Sequence, residues 1–219
     1  MPPEADPAWT EAASVLDTGL ATLELDLPAT VRDTALHLLQ LLTTWNRHYN
    51  LTALHTPTDM VTGHLLDSLA VLPYLPALRL LDVGTGAGFP GLPLAIARPQ
   101  VAHMLLDSNL KKTRFVQHAA LTLGLANVEV ARARAEQYQP ATPFPVVVAR
   151  AFAPLGRLLH TLGHLCAPGG RIYALKGPAA AAELADLPPG FRHMDTVPLP
   201  ALPGGRQRTL LILARADAA

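Results

Sequence analysis

The stretch that most constrains this chain is Leu80-Leu81-Asp82-Val83-Gly84-Thr85-Gly86-Ala87-Gly88-Phe89-Pro90-Gly91-Leu92-Pro93. An apolar run from Leu78 to Val83, interrupted only by Arg79, reads as a buried strand; its acid, Asp82, is followed by glycine at every second position from Gly84. A helix-compatible segment, Leu92 to Arg98, comes next and is closed by Pro99. Glycines spaced in this way let the backbone turn tightly and let a ligand approach main-chain atoms, because no Cβ intervenes. A strand-to-helix turn without a ligand would use some of the same residues, but the next element argues for a site. Val101 to Leu106 is a second apolar run and ends in Asp107, about twenty residues beyond the loop. An acid at the tip of the adjacent strand can accept both hydroxyls of a ribose.

The spacing also narrows the ligand. A dinucleotide fingerprint needs glycines at relative positions zero, two and five, and Phe89 stands where the third should be. A phosphate-binding P-loop needs Gly-Lys-Ser/Thr, whereas Gly91 is followed by Leu92 and Pro93. The loop holds no Lys or Arg to neutralise phosphate. It suits a ligand with a ribose and no phosphate, such as S-adenosylmethionine (SAM). Asp-x-Gly-x-Gly-x-Gly after a first strand is similar to the first motif of Rossmann-like methyltransferases.

A chain of 219 residues, half of them apolar, can bury one sizeable core and carry an appendage. It has no apolar run long enough to span a membrane, and its Met-Pro-Pro-Glu-Ala-Asp-Pro start is unlike a signal peptide. The single cysteine, Cys166, rules out an internal disulfide and fits a reducing cytoplasm. It is expected in or near the core, at a helix end, with no base beside it to activate it. The formal net charge is zero, so any nucleic-acid contact must come from a local basic patch. The lysines are Lys111, Lys112 and Lys176; the other basic residues are arginines, suited to bidentate phosphate contacts. His160 and His164 lie one helical turn apart, but with no acid between them and no obvious third ligand a metal site is not expected.

Residues 1–28 have helix-compatible apolar spacing but many breakers. From Thr30 to about Tyr49 a clearer helix carries Val31, Ala35, Leu38, Leu39, Leu42 and Trp45 on one stripe. Pro57-Thr58-Asp59 starts another, with Val61, Leu65, Leu69 and Leu72 facing inward. On it His64, Asp67 and Ser68 share one side, and their spacing points to a solvated face with a local His–Asp pair. From Leu78 onward strands at 79–84, 101–107, 127–132, 145–150, 171–176, 191–197 and 207–214 alternate with helices at about 91–98, 109–123, 155–166 and 179–187. This alternation predicts a parallel sheet with helices on both faces. The last two strands are separated only by the turn from Pro198 to Arg206, so they form an antiparallel hairpin.

Ligands in open α/β sheets sit beyond the carboxyl ends of the strands. Those ends carry Gly84 to Phe89, then Asp107 and Ser108, Arg134-Ala135-Glu136, Arg150, and Lys176-Gly177. Arg150 follows the apolar run Val146 to Ala149, where a charge must emerge at an edge or find a partner. A site role and a structural salt bridge both account for it.

Asn50-Leu51-Thr52, His64-Leu65-Leu66-Asp67-Ser68, the loop Asp82 to Gly91, Leu106-Asp107-Ser108, Arg150-Ala151-Phe152-Ala153-Pro154-Leu155 and Ala174-Leu175-Lys176-Gly177 occur in that order. Over roughly Leu36 to Ala214 the chain resembles the RsmG (GidB) family of bacterial small-subunit rRNA methyltransferases. The resemblance implies an α/β, Rossmann-like SAM-dependent methyltransferase fold. Its seven-stranded, mostly parallel sheet would end in an antiparallel C-terminal hairpin, with an N-terminal helical extension (1–76) packed on a SAM-binding domain (77–219). It implies SAM-dependent methylation of a guanine N7 in 16S ribosomal RNA, free or in the small subunit, with S-adenosylhomocysteine as the other product. A cytoplasmic monomer is expected. By position in the family's motifs Gly84, Phe89, Ala135, Glu136 and Arg150 would contact SAM; the glycine loop and the tip of the second strand add Thr85, Gly86, Gly88, Asp107 and Ser108 as expected cofactor-binding residues. With no net charge to drive RNA binding, a local patch is expected to supply it: Arg47, His48, Asn50, His64, Lys176, Arg206 and Arg208 are the candidates. The family has one arginine before its last strand, and Arg208 fits that position better than Arg206.

Guanine N7 has an in-plane lone pair and no proton to lose, so its methylation needs alignment rather than a general base. Arg150 and Lys176 are the candidates for that alignment. The Ala149-Arg150-Ala151-Phe152 stretch differs from the Asn/Asp-Pro-Pro-aromatic motif of exocyclic-amine methylation. Three other readings compete. A methyltransferase acting on a ribose hydroxyl or small molecule would use Lys176 as base. A SAM- or RNA-binding module would transfer nothing, and a dehydrogenase is disfavoured by the broken glycine spacing.

Overall fold

The computed structural model describes residues 6–150, 153–202, 204 and 206–216. Ala151 and Phe152 of the Arg150 motif, and Pro203 and Gly205 of the final turn, lie outside them, as does the Met1–Ala5 start. Seven strands, β1 (Leu80–Val83), β2 (His103–Asp107), β3 (Val128–Arg132), β4 (Phe144–Arg150), β5 (Cys166–Lys176), β6 (Phe191–Pro198) and β7 (Thr209–Arg215), form one sheet. Their order is β3-β2-β1-β4-β5-β7-β6; β1 to β5 pair in parallel, while β7 runs antiparallel to both β5 and β6. The order reverses between β1 and β4, which is where an open α/β sheet leaves a crevice.

Strand alternation explains the two-sided core. On β4, Val146 and Val148 join Leu80, Leu105, Tyr173 and Leu210 on one face, while Val147 and Ala149 join Leu81, Leu106, Ile172 and Leu211 on the other. The second face is covered by α7 (Leu155–Leu162), through Leu155, Leu158, Leu159 and Leu162. The first is covered by α5 (Gly91–Ala97), α6 (Leu110–Thr122) and every helix N-terminal to the sheet.

Those N-terminal elements are α1 (Pro7–Thr22), α2 (Ala29–Tyr49) and a continuous helical segment of α3 (Pro57–Met60), a π-helical turn (Val61–Leu66) and α4 (Asp67–Leu69). The early residues that looked broken do form a helix: Pro7 occupies its first turn, where no amide partner is needed, and Asp6 caps it by accepting from the Ala8 N–H at 3.0 Å. Residues Ala12, Leu16, Gly19 and Leu20 of α1 are buried, and a Cβ on Gly19 would lie 2.1 Å from Leu66. On α2, Ala35, Leu38, Leu39, Leu42 and Asn46 are buried at three- and four-residue spacing. The helix ends at Asn50, left-handed at φ 49°, and Asn46 fastens the turn through the Thr52 N–H (2.9 Å) and carbonyl (3.1 Å).

Two stretches differ in kind from expectation. Helix α7 stops at Leu162 and tightens to a 3-10 turn at Gly163–Leu165, so Cys166 opens β5 instead of ending a helix. Cys166 pairs with Phe144, the strand bulges through Ala167–Gly170, and regular pairing resumes at Arg171 against Val146. The segment expected as a helix at 179–187 is a 3-10 helix, Pro178–Asp186. Leu184 and Leu187, three apart, meet the α7 face from that tighter turn.

Because α2 shares one core with the sheet, its loss should be felt throughout. Leu38→Ala should destabilise the protein by about 2–5 kcal/mol. Both tryptophans, Trp9 and Trp45, sit in α1 and α2. Urea transitions followed by their fluorescence and by far-UV circular dichroism should therefore coincide; separated midpoints would show that the N-terminal helices unfold independently.

Candidate functional site

Asp82 shares the parity of Leu80 on β1, so its carboxyl points into the core beneath the N-terminal helices and is 0 % exposed. Its Oδ2 accepts from Thr85 Oγ1 (2.6 Å) and the Gly91 N–H (2.8 Å), pinning both ends of the glycine loop; Oδ1 has no partner among the described residues. Burial pushes this carboxyl up to about 6, although the Thr85 and Gly91 hydrogen bonds and the Arg150 charge pull the other way. The loop glycines meet different demands. Gly86 is left-handed (φ 62°) with little beyond it, whereas a Cβ on Gly88 (φ 90°) would come 2.4 Å from Leu92. A Cβ on Gly91 would lie 2.8 Å from the Asp82 carboxylate.

The loop separates two cavities. The first, about 460 Å³, lies beyond β1 and β2 and is lined by Gly84, Asp107, Ser108, Ala135 and Glu136, with Lys112, Arg134 and Arg157. Asp107 Oδ2 accepts from the Gly86 N–H (2.9 Å) and Oδ1 from the Asn109 N–H (2.8 Å). Each oxygen keeps a further acceptor position, the chemistry required to hold a pair of ribose hydroxyls. The donor set therefore fits a nucleoside with adjacent hydroxyls.

The second cavity, about 510 Å³, lies on the opposite side of the loop, among Thr85, Gly86, Phe89, His64, Asp67, Arg150, Arg206 and Arg208. Gly84 and Lys112 line both. The Phe89 ring stacks on His64 at 4.4 Å and 13°, and the Arg150 guanidinium stands 6.0 Å over the same ring. Burial, then the Arg150 charge, lowers the His64 pKa to about 3, so the imidazole is neutral, with Nε2 2.8 Å from the Thr52 hydroxyl.

The solvated face expected for His64, Asp67 and Ser68 is overturned: all three are buried. No His64–Asp67 pair forms. Instead Ser68 Oγ donates to the His64 carbonyl, and Asp67 accepts from Arg208 Nε (2.8 Å) and Nη2 (3.3 Å) and from Arg150 Nη1 (3.3 Å). Arg150 Nη1 also reaches the Gly63 carbonyl at 3.3 Å. Arg150 is thus both ion-paired and at a cavity wall, and Asp67 is the partner that helical spacing alone could not find. The π-helical turn just before it, a feature enriched at functional sites, sets the phase at which Asp67 emerges.

Not every expected residue reaches a cavity. Lys176 is 6 % exposed, bound to Glu183 (2.5 Å) and the Ala153 carbonyl (2.8 Å), and lines neither. Burial alone would raise the Glu183 carboxyl, but the hydrogen bonds from Lys176 and from the Leu155 N–H hold it below its ordinary value. Lys176 is thus held by Glu183 and the Ala153 carbonyl behind the tip of β5. Gly88 is needed for packing. Arg47, His48 and Asn50 are exposed around the end of α2, outside both linings. Burial pushes the Cys166 thiol up to about 11, the opposite of an activated nucleophile. Among the described residues no three His, Cys, Asp or Glu side chains gather as metal ligands, and no helix is long and apolar enough to cross a membrane.

Sheet order, glycine loop and the acid at the tip of β2 define the fold of the SAM-dependent methyltransferases. A SAM-dependent methyltransferase structure from Aquifex aeolicus superposes with a TM-score of 0.56 at 18 % identity, covering 76 % of this chain and 97 % of that one. The chain belongs to the GidB family, rRNA small subunit methyltransferase G, whose family model matches residues 32–198. It is 48 % identical over 201 residues to the ribosomal RNA small subunit methyltransferase G of Chromohalobacter salexigens (92 % of this chain, 96 % of that one). Against its namesake from Alkalilimnicola ehrlichii the identity is 46 % over 193 residues, 87 % and 88 % of the two chains.

The two buried titratable groups should move stability in opposite senses. His64 is neutral in the fold, so its contribution is full above its unfolded pKa of about 6.5 and is lost as pH falls towards 3. Asp82, raised from 3.8 to about 6, favours the fold most when protonated, and that contribution is lost as pH rises through this window. Between about pH 7 and pH 5, His64→Gln should therefore lose less melting temperature than the wild type and Asp82→Asn should lose more. Parallel losses in all three proteins would contradict both protonation states.

Proposed function

We propose that this protein transfers the methyl group of SAM to N7 of a guanine in small-subunit (16S) ribosomal RNA, beside bacterial ribosomes in the cytoplasm. Membership of the rRNA small subunit methyltransferase G family supports methyl transfer to rRNA. The observation that carries the rest is the pair of cavities meeting across Gly84. In this reading Asp107 holds the ribose, Ser108, Ala135 and Glu136 flank the adenine, and Gly84 and Gly86 let the ligand lie against the backbone. Thr85 and Gly88 act indirectly, by shaping the loop.

SAM supplies an electrophilic sulfonium methyl, and the chain supplies alignment. The stacked Phe89–His64 pair forms an apolar plate for a base, and neutral His64 adds no charge that would repel the methyl-bearing sulfonium. Arg150 and Arg208 keep donors beyond those engaged by Asp67. Arg150 serves the SAM carboxylate or guanine O6, while Arg206 and Arg208 serve RNA phosphates. The N-terminal extension (1–76) forms the RNA-side wall through Leu51–Leu54, His64 and Asp67. A ribose-hydroxyl acceptor would need a base, and the engagement of Lys176 by Glu183 and the Ala153 carbonyl, behind the lining of the first cavity, favours N7 over that alternative.

Incubation with labelled SAM and unmethylated small subunits, followed by nucleoside analysis, tests the reaction. The expected product, N7-methylguanosine, carries a fixed positive charge; a 2′-O-methyl nucleoside would replace this reading with the alternative. Asp107→Ala should weaken SAM binding about ten- to a hundredfold, since hydrogen bonds to a charged acceptor are worth ~1.5–3 kcal/mol. Unchanged calorimetric affinity would remove Asp107 from the cofactor site. Arg150→Lys should be impaired nearly as much as Arg150→Ala, because the planar fork, not the charge alone, sustains its contacts. A larger effect on SAM affinity would assign Arg150 to the carboxylate, and one on kcat would assign it to the base.

A further inference from the structure

The end of α2 and the outer face of α6 form a basic, aromatic surface that the two cavities do not account for. Helix α6, LKKTRFVQHAALT, carries three cations and no acid. Lys111, Arg114 and His118 follow at three- and four-residue spacing, so they share one face, and all are exposed. The facing part of α2, from Leu42 to Tyr49, has no acid either and ends in exposed Arg47, His48 and Tyr49.

The helices meet through Trp45, whose ring lies 5.7 Å from Phe115, 5.1 Å from His118 and 5.3 Å from Tyr49. Tyr49 leaves 43 % of its surface exposed. Among the described residues no acid pairs with Arg47, Lys111 or Arg114. Stability does not explain this charge. Lys111 and Lys112 occupy the first turn of α6, where the helix dipole disfavours cations and an optimised chain would place acids. The surface is continuous with the second cavity, since Lys112 lines that cavity and Leu51–Leu54, directly after α2, form its wall.

We propose that this surface is a docking platform for a single-stranded RNA segment flanking the target base, with Tyr49 and His118, braced by Trp45, stacking on a base and Lys111 and Arg114 contacting phosphates; it rests on the rRNA-methyltransferase reading above. Phosphate-seeking cations without counter-charges beside exposed aromatic rings are the pattern that single strands use, because every base has a stacking face and every linkage an anion. A folded protein partner would match such a patch with carboxylates and leave the rings without a stacking role.

The test measures binding of wild type, Lys111→Glu/Arg114→Glu, Tyr49→Ala and Tyr49→Phe to protein-free 16S rRNA and to small subunits over a range of salt. The double variant should bind at least tenfold more weakly, with the slope of log affinity against log salt reduced by about one to two, as for two lost phosphate contacts. Tyr49→Ala should lose about five- to a hundredfold in affinity and Tyr49→Phe should restore it. SAM affinity should be unchanged throughout, and the melting temperature of the double variant should not fall, because acids suit that helix end. A wild-type salt slope in the double variant would overturn the platform. So would weakened binding to subunits with unchanged binding to free rRNA, which would make the surface a ribosomal-protein contact. Since the slope is read from binding alone, failure of the wild type to form N7-methylguanosine would overturn the reaction separately.

Discussion

A buried carboxylate holds the centre of this molecule. Asp82 stands at a strand position whose parity points it into the core, where a side chain such as Leu80 would pack with no electrostatic penalty. Burial opposes its charge, and the hydrogen bonds from Thr85 and Gly91, with the Arg150 charge, offset part of that penalty. Those two donors lie on either side of two left-handed glycines, Gly86 and Gly88, so one side chain closes the loop like a clasp. With the loop set, the Gly86 amide faces Asp107, and the tips of β1 and β2 are held together. The first cavity follows from that geometry.

The second cavity depends on a different acid. Asp67 receives both Arg208 and Arg150, which come from far downstream in the sequence, Arg150 from the end of β4 and Arg208 from the approach to β7. Taking charges out of water is expensive, and such a cluster need not add stability relative to apolar packing; breaking it by removing the acid would cost about 3–5 kcal/mol. Its physical effect is geometric. One carboxylate aims two planar guanidinium groups at a single wall and neutralises one of their two charges, leaving the wall cationic. The same contact ties the N-terminal helices to the catalytic end of the sheet, so those helices serve as part of the site as well as cover for the core.

Most of the architecture is legible in the order and periodicity of the residues. The apolar runs from Leu80 to Leu213 mark the strands, and the nine-residue Pro- and Gly-rich turn before Arg208 forces the final hairpin, because a parallel crossover would not fit. Illegible features involve local geometry that competes with pattern. Pro7 reads as a breaker until its first-turn position is seen. The Cys166–Gly170 stretch reads as a helix end and a turn because its bulge erases strand alternation.

The sequence by itself determined the loop chemistry, the acid at Asp107, the class of ligand they suit and the succession of strands and helices, since each follows from neighbours a few residues apart. Only the tertiary structure decided what the long-range charges do. Asp67 pairs with residues 83 and 141 positions away, Arg150 becomes a cavity wall as well as an ion pair, and Lys176 is drawn off to Glu183. Spacing on a helix shows which side chains share a face, but whether that face meets water or an arginine depends on how distant elements pack. Burial then sets the strength of every charge on it.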